Sequence, residues 1–365
     1  MKDTVKIIFV ITVLGLFSLP IIFFDAKSEI SQKENRTLEK KPLLMKENHL
    51  NGNFFAEYDA YFQDHLGFRE QLIQLDASNP LKVKISTAAK AIVGKDGWYF
   101  FTDIDDGNNL IDFYKRNLFE PIQIQKFSEI ISKTVEWCKA QNIKCLFLIG
   151  PNKHSVYEEF YPYERPEGIT RADQIVQIFD ELGVSYIFPR DYLISQKAKY
   201  DFPLYYETDT HWNSQGAYLA FTLLRNKICS LFPNIVFPHL EYETSISESN
   251  TYGDLLPLLN LANGKSTQIK HTPKGHTNSE FYSFIPNNDI NGLQTKGTDD
   301  KLPRALIYSD SFIGALEPFV SPLFSEIEYH WERFTESDKD YVLKYKPDIV
   351  IFEVVERNAP KIILQ

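Results

Sequence analysis

An α/β domain built on a central parallel sheet follows from three features of this 365-residue chain. Segments with helical spacing alternate with short apolar runs through the middle and the C-terminal third. Those runs are continuously apolar, as strands covered on both faces must be. A content of 43% hydrophobic and 14% aromatic residues suits a large packed core and excludes a disordered chain.

The first element is an uncharged stretch from Ile7 to Phe24, preceded by Lys2 and Lys6 and followed by Asp25, Lys27 and Glu29. Its length is enough to cross a bilayer as a helix. The positive flank in front places the first residues in the cytoplasm and everything after Asp25 outside. Residues 1–26 are therefore expected to be a membrane anchor or signal segment. The bulky Phe23-Phe24-Asp25 is not a small-x-small cleavage site, which favours an uncleaved anchor over a signal peptide. Residues 27–53 are polar and Lys/Glu-rich and are expected to be a tether, with the main domain spanning 54–365.

Phe54, Phe55, Tyr58, Tyr61, Phe62 and Leu66 recur at helical spacing, which predicts a helix over Phe54–Ala77 packing by one face. Its aromatic stripe is read as core rather than as a carbohydrate platform. Helix Ile122–Gln141 then leads to strand Lys144–Ile149, and helix Arg171–Leu182 to strand Val184–Phe188. Asn213–Leu231 is predicted helical, with Asn213 or Ser214 as N-cap. Strands follow at Ala305–Tyr308, Glu326–Tyr329 and Asp348–Val355, with a helix at Asp338–Tyr345. Between 237 and 302 the texture turns to Ser, Thr, Asn, Gly and Lys. That stretch is too long for a loop and is expected to be an insertion with short strands of its own, either a lid over the cleft or a surface excursion.

A net charge of −10 excludes a nucleic-acid partner and disfavours a polyanionic glycan unless basic residues gather locally. Cys138, Cys145 and Cys229 lie in apolar patterns and are read as free thiols, a Cys138–Cys145 bridge being the alternative outside the cytosol.

Chemistry concentrates in Tyr206-Glu207-Thr208-Asp209-Thr210-His211-Trp212-Asn213. On an extended segment Asp209 and His211 share one side, so the carboxylate can accept from imidazole Nδ1–H and leave Nε2 free to take a proton. The pair alone also suits a structural bond or a divalent metal. No His-x-x-x-His, Cys-x-x-Cys or dense carboxylate loop accompanies it, so no metal or cofactor is expected. A nucleophile is available downstream in Ile307-Tyr308-Ser309-Asp310-Ser311-Phe312, where an apolar run breaks into small polar residues. Asn152, after strand Cys145–Ile149, and Ser311, after its own strand, fall at carboxyl ends of strands, where α/β sheets place their sites. Lys153 and His154 are expected at the cleft rim. Glu356-Arg357 suits a salt bridge or a glycan contact, and His65 beside Asp64 suits capping or packing.

Ser309-Asp310-Ser311-Phe312 resembles the Gly-Asp-Ser-Leu/Phe block of the SGNH hydrolases, with Ser309 in the glycine position. Its place after Asp209-Thr210-His211-Trp212 reverses the usual SGNH order and is similar to the SGNH-like domain of the alginate O-acetyltransferases, the AlgJ/AlgX group. Glu34-Asn35-Arg36-Thr37-Leu38, Phe62-Gln63-Asp64-His65-Leu66-Gly67-Phe68-Arg69 and Gly94-Lys95-Asp96-Gly97-Trp98-Tyr99-Phe100 fit the same group, so the similarity runs from about Glu34 to Arg357.

The resemblance implies an SGNH-like (flavodoxin-like) three-layer sandwich in the cell envelope, the catalytic domain periplasmic or extracellular. It makes Ser311 the nucleophile, His211 the general base and then acid, and Asp209 its orienting partner. Backbone N–H groups near Ser311 would form part of the oxyanion hole. Position alone, not the resemblance, makes Asn152 either a side-chain donor there or a turn residue after its strand, and makes Lys153 and Arg357 candidate substrate contacts. The resemblance also implies a polysaccharide acceptor and a membrane-bound O-acyltransferase that supplies acetyl groups. Three functions fit: an O-acetyltransferase, an acetylesterase with the same triad, and a non-catalytic glycan-binding subunit of a secretion complex.

Overall fold

The computed structural model describes Gly15 and residues 18–28, 30–31, 36–46, 49–68, 90–103, 106, 109–249, 253–259, 261, 264–287 and 290–364. These fall into two compact units, one of residues 1–85 with 256–262 and one of residues 86–255 with 263–365.

In the first unit, helix α1 (Phe54–His65) is shorter than the predicted Phe54–Ala77, whose residues 69–77 lie outside the described residues. Only part of its aromatic stripe is packing surface: Phe24 sits 5.7 Å from the buried Tyr61 and 5.6 Å from Phe62, ring to ring, whereas Phe55 and Tyr58 are exposed. His65 is buried, its two ring nitrogens on the Asp25 and Glu39 carbonyls at 2.6 and 2.9 Å, while Asp64 accepts the Glu39 N–H at 2.9 Å. That adjacent acid and histidine therefore form no pair with each other. Most of the apolar stretch 7–24 lies outside the described residues, and among those described no helix is long and apolar enough to cross a membrane.

The second unit opens with a hairpin, β1 (Ala91–Val93) and β2 (Tyr99–Phe101). Asp96 and Gly97 both have positive φ, 53° and 82°, the type I′ geometry that matches strand twist and favours an Asp-Gly pair. Helix α2 (Pro121–Ala140) begins with proline in its first turn and a capping box between Glu120 and Gln123. It leads into β3 (Lys144–Gly150), and α3 (Arg171–Glu181), capped by Thr170 and Asp173, leads into the short β4 (Tyr186–Ile187). Helices α4 (Arg190–Lys197) and α5 (Ser214–Leu231) follow. The segment 237–302 carries the ribbon β5 (Tyr242–Ser249) and β6 (Ser266–Pro273), then β7 (Tyr282–Ile285) and β8 (Gly292–Gly297). Last come β9 (Arg304–Tyr308), β10 (Glu326–His330), α6 (Lys339–Tyr345) and β11 (Ile349–Val355).

One seven-stranded sheet runs β7-β8-β10-β9-β11-β3-β4. Its five strands from β10 to β4 are parallel, as the apolar runs predicted. The sheet is nonetheless mixed, because β7 and β8 add an antiparallel edge from the segment read as an insertion. Their exposed positions, such as Ser283, Phe284 and Lys296, leave no apolar run to read. β11 is buried at every position, with β3 and β9 as its neighbours. Phe147, Ile149, Phe352 and Val354 pack on one face with Phe127, Ile131 and Cys138 of α2 and Ile175 and Phe179 of α3. Side chains alternate along a strand, so Leu146, Leu148 and Ile351 face the other way, and they too are fully buried. All three cysteines are free.

Candidate active site

Three carboxyl strand ends, those of β9, β11 and β3, are tied together by carboxylates. Asp310, just past β9, accepts the Phe312 N–H on Oδ1 at 3.0 Å and the Val355 N–H on Oδ2 at 2.8 Å, with the Arg333 guanidinium 3.3 Å away. The Asp310 N–H donates to Glu353 Oε2 at 3.1 Å, and the Asn152 N–H to Glu356 Oε2 at 2.8 Å. Burial raises the Glu353 carboxyl well above its ordinary value, and the neighbouring Asp310 charge adds to this. Ser309, which stands where a glycine was expected, turns its hydroxyl inward to the His330 carbonyl at 3.3 Å.

This frame presents Ser311. Its Oγ lies 2.7 Å from His211 Nε2, and His211 Nδ1 lies 2.6 Å from Asp209 Oδ1. The same Oδ1 accepts the His211 N–H at 3.0 Å, so the two-residue spacing closes a tight turn. The two halves, 100 residues apart, are locked by Trp212, whose indole N–H donates to the Phe312 carbonyl at 3.1 Å. Directly after them Asn213 caps α5, accepting from the Gln215 and Gly216 N–H groups. Burial opposes charge on both members of the pair, but their mutual bond and attraction outweigh it. Asp209 is held down at about 2, and His211 is raised above the ordinary histidine value.

Asp254, from the 237–302 segment, is a residue the sequence reading missed. Its Oδ1 accepts the Thr210 N–H at 2.7 Å, its Oδ2 the Thr210 hydroxyl at 2.5 Å, and its own N–H donates to Asp209 Oδ2 at 3.1 Å. Gly253 permits this approach, since a Cβ there would stand 2.0 Å from the Thr208 carbonyl oxygen. Asp209, His211 and Asp254 offer three ligand atoms within 4.8 Å of one another. Their oxygens and Nδ1 are nonetheless committed to one another and to Thr210, which makes the set a hydrogen-bonded relay.

Lys153 was expected at the cleft rim, and the structure corrects this. It is buried, and its ammonium donates to the carbonyls of Tyr206, Glu207 and Asp209 at 3.0, 3.1 and 2.7 Å, which uses all three donors. Burial pushes it down to about 7, although Asp254, Asp209 and Glu207 favour the charged form. Lys153 thus holds the Asp209 loop from below. Lys153→Met is expected to cost roughly 2–3 kcal/mol of stability, because it strands buried carbonyls. Turnover should fall about tenfold as the loop relaxes. Denaturant unfolding and steady-state rates check both; unchanged values would remove the anchoring role.

Of the two readings open for Arg357, salt bridge or glycan contact, its contacts are those of the salt bridge. Its Nε meets Asp106 Oδ2 at 3.1 Å and its guanidinium lies 4.8 Å over the Phe101 ring. His154 is buried rather than at a rim. Asn152 is buried at the end of β3, and neither side-chain amide atom has a hydrogen-bond partner among the described residues. Beside Ser311 a cavity of about 690 Å³ is lined by Asp310, Trp331, Glu332, Arg333, Asn358 and Lys361, among others.

Residues 91–283 match the family model for the SGNH hydrolase-like domain of the acetyltransferase AlgX, a span that holds Asp209 and His211 and ends before Ser311. The chain is 25% identical over 215 residues to a probable alginate O-acetylase AlgJ of Pseudomonas syringae pv. tomato, covering 58% of this chain and 52% of that one. It therefore spans about half the length of that relative. Among solved structures it is similar to Bacillus cereus PatB1, with a TM-score of 0.53 and 16% identity over 73% of this chain and 95% of that one. It also matches the O-acetyltransferase domain of Pseudomonas putida AlgJ, with a TM-score of 0.48 and 19% identity over 74% and 92%. With more than half its length under one family model, this chain belongs to the AlgJ/AlgX-like family of SGNH hydrolase-like domains.

Proposed function

We propose that the protein is an extracytoplasmic O-acetyltransferase that acetylates an exported cell-surface polysaccharide through an acetyl-Ser311 intermediate. The observation that carries this reading is the unbroken relay from Asp209 through His211 to the Ser311 hydroxyl. His211 Nε2 takes the Ser311 proton as Oγ attacks the acetyl carbonyl of the donor, and returns that proton to the departing donor oxygen or sulfur. A sugar hydroxyl then gives its proton to Nε2 and attacks the acetyl-enzyme, and His211 reprotonates Ser311 as the serine ester breaks. The Ser311 N–H, for which no acceptor is found among the described residues, and the Asn152 amide are the candidate oxyanion donors.

Residues 1–26 would hold the domain at the outer face of the inner membrane. A membrane-bound O-acyltransferase would supply the acetyl donor there. The test is to incubate the protein with a chromogenic acetyl ester, quench in acid and map peptides by mass. An acetyl group on the peptide that contains Ser311, lost on adding an acceptor glycan that itself becomes acetylated, is the expected result. Ester turnover with acetyl on no serine would overturn the reading.

A further inference from the structure

We infer that Trp331 forms an acceptor subsite beside Ser311 for an uncharged sugar ring, and that a polyuronate is a poor acceptor. This rests on the acetyl-transfer reading above and adds to it the class of acceptor. Trp331 directly follows β10, at the carboxyl end of the sheet, where the cavity opens. Its main chain is fixed on both sides, the N–H donating to the Asn291 carbonyl at 2.8 Å and its own carbonyl accepting the Asn291 amide at 3.4 Å. The residue is nonetheless 50% exposed. An isolated exposed indole is unremarkable; one with a fixed backbone, lining the same cavity as the nucleophile, is a stacking face. The apolar C–H face of a pyranose covers such a ring, and its rim hydroxyls then reach Glu332, Lys361 and Asn358 on the cavity wall.

Charge selects among sugars. The ionisable lining consists of Asp310 and Glu332 against Arg333 and Lys361. Arg333 is committed to Asp310 at 3.3 Å. Glu332 lies 3.5 Å from His330 Nδ1, and with Lys361 as the other cation the two carboxylates balance the two cations, so this lining carries no net positive charge to pair with carboxylates on successive residues of a polymer. The chain as a whole, at −10, repels one.

The experiment uses the full chain with a chromogenic acetyl ester as donor. Acceptors are a mixture of neutral oligosaccharides (glucan, mannan, galactan and N-acetylhexosamine oligomers) or, in parallel, oligogalacturonates of equal length. Transfer to the neutral set is expected to exceed transfer to the uronates at least tenfold at low salt. Trp331→Ala should lower the ratio of transfer to hydrolysis at least tenfold, through a raised KM for the acceptor, and Trp331→Phe should restore most of it. Equal or better transfer to uronates overturns the inference, as does a ratio that Trp331→Ala leaves unchanged. Transfer to neither class while Ser311 is acetylated also overturns it. Failure to acetylate Ser311 would instead overturn the parent reading.

Discussion

Asp209→Asn is expected to lower kcat/KM for an acetyl ester by about four orders of magnitude while leaving the fold intact, as loss of the orienting carboxylate does in serine triads generally. The reason lies in which ring nitrogen carries the proton. Asp209, held at about 2 because His211 outweighs its burial, is ionised throughout the working range and accepts from Nδ1–H. Nε2 is then left bare toward Ser311 at 2.7 Å. An amide can place its NH2 against Nδ1, which moves the ring proton to Nε2 and blocks proton abstraction. Asp254 does not take over, because both its oxygens are bonded to Thr210 and the nearer is 3.7 Å from Nδ1.

The same substitution moves the pH profile. Burial alone would lower His211, but the Asp209 bond and charge raise it, with Asp254 and Asp310 adding to the effect. The base works only when neutral, so activity rises as pH climbs through a value above the ordinary 6.5. Removing the carboxylate should shift that acid limb to lower pH. Rates against pH for wild type and Asp209→Asn decide it: a variant within tenfold of wild type, with an unmoved limb, would show that Asp209 does not orient the base.

How much of this could be read in the sequence depended on where the physics left a local trace. Strands β3, β9 and β11 are continuous apolar runs because both of their faces are covered, and such runs are visible without any structure. Asp209 and His211 stood out because their bond needs only a two-residue spacing, and Ser311 because a buried strand ends abruptly in small polar residues. Hairpin β7–β8 left no such trace, since its edge position exposes residues such as Phe284 and Lys296. Asp254 was illegible for a different reason. Its partner Thr210 is 44 residues away, and nothing in a Ser/Thr/Asn-rich segment distinguishes one aspartate from another. Lys153 was placed near the site, but its role was missed. A lysine after a strand reads as exposed, and only the fold reveals that the Asp209 loop turns its carbonyls toward it. For Arg357 a salt bridge was legible but its partners were not, because Asp106 and Phe101 become its neighbours only through contacts spanning some 250 residues.

For Asn152, catalytic and structural roles forecast opposite results. Its backbone is fixed by the Glu356 carboxylate at 2.8 Å, yet its side-chain amide is buried with neither atom bonded among the described residues. An unmet buried amide costs stability, typically about 1–3 kcal/mol, and its persistence at a strand end beside the site is explained if it serves an oxyanion that exists only during reaction. Asn152→Ala should then leave stability within about 1 kcal/mol of wild type or raise it, since an unsatisfied polar group is lost. Turnover should fall by about 10²–10³, the usual cost of one oxyanion donor. The loss should appear in kcat rather than in KM, because the developing negative charge is absent from the bound ground state. Unfolding curves and steady-state kinetics measured on one preparation separate the roles. A variant that unfolds more easily but keeps its kcat would make Asn152 a packing residue and leave the oxyanion to backbone N–H groups alone.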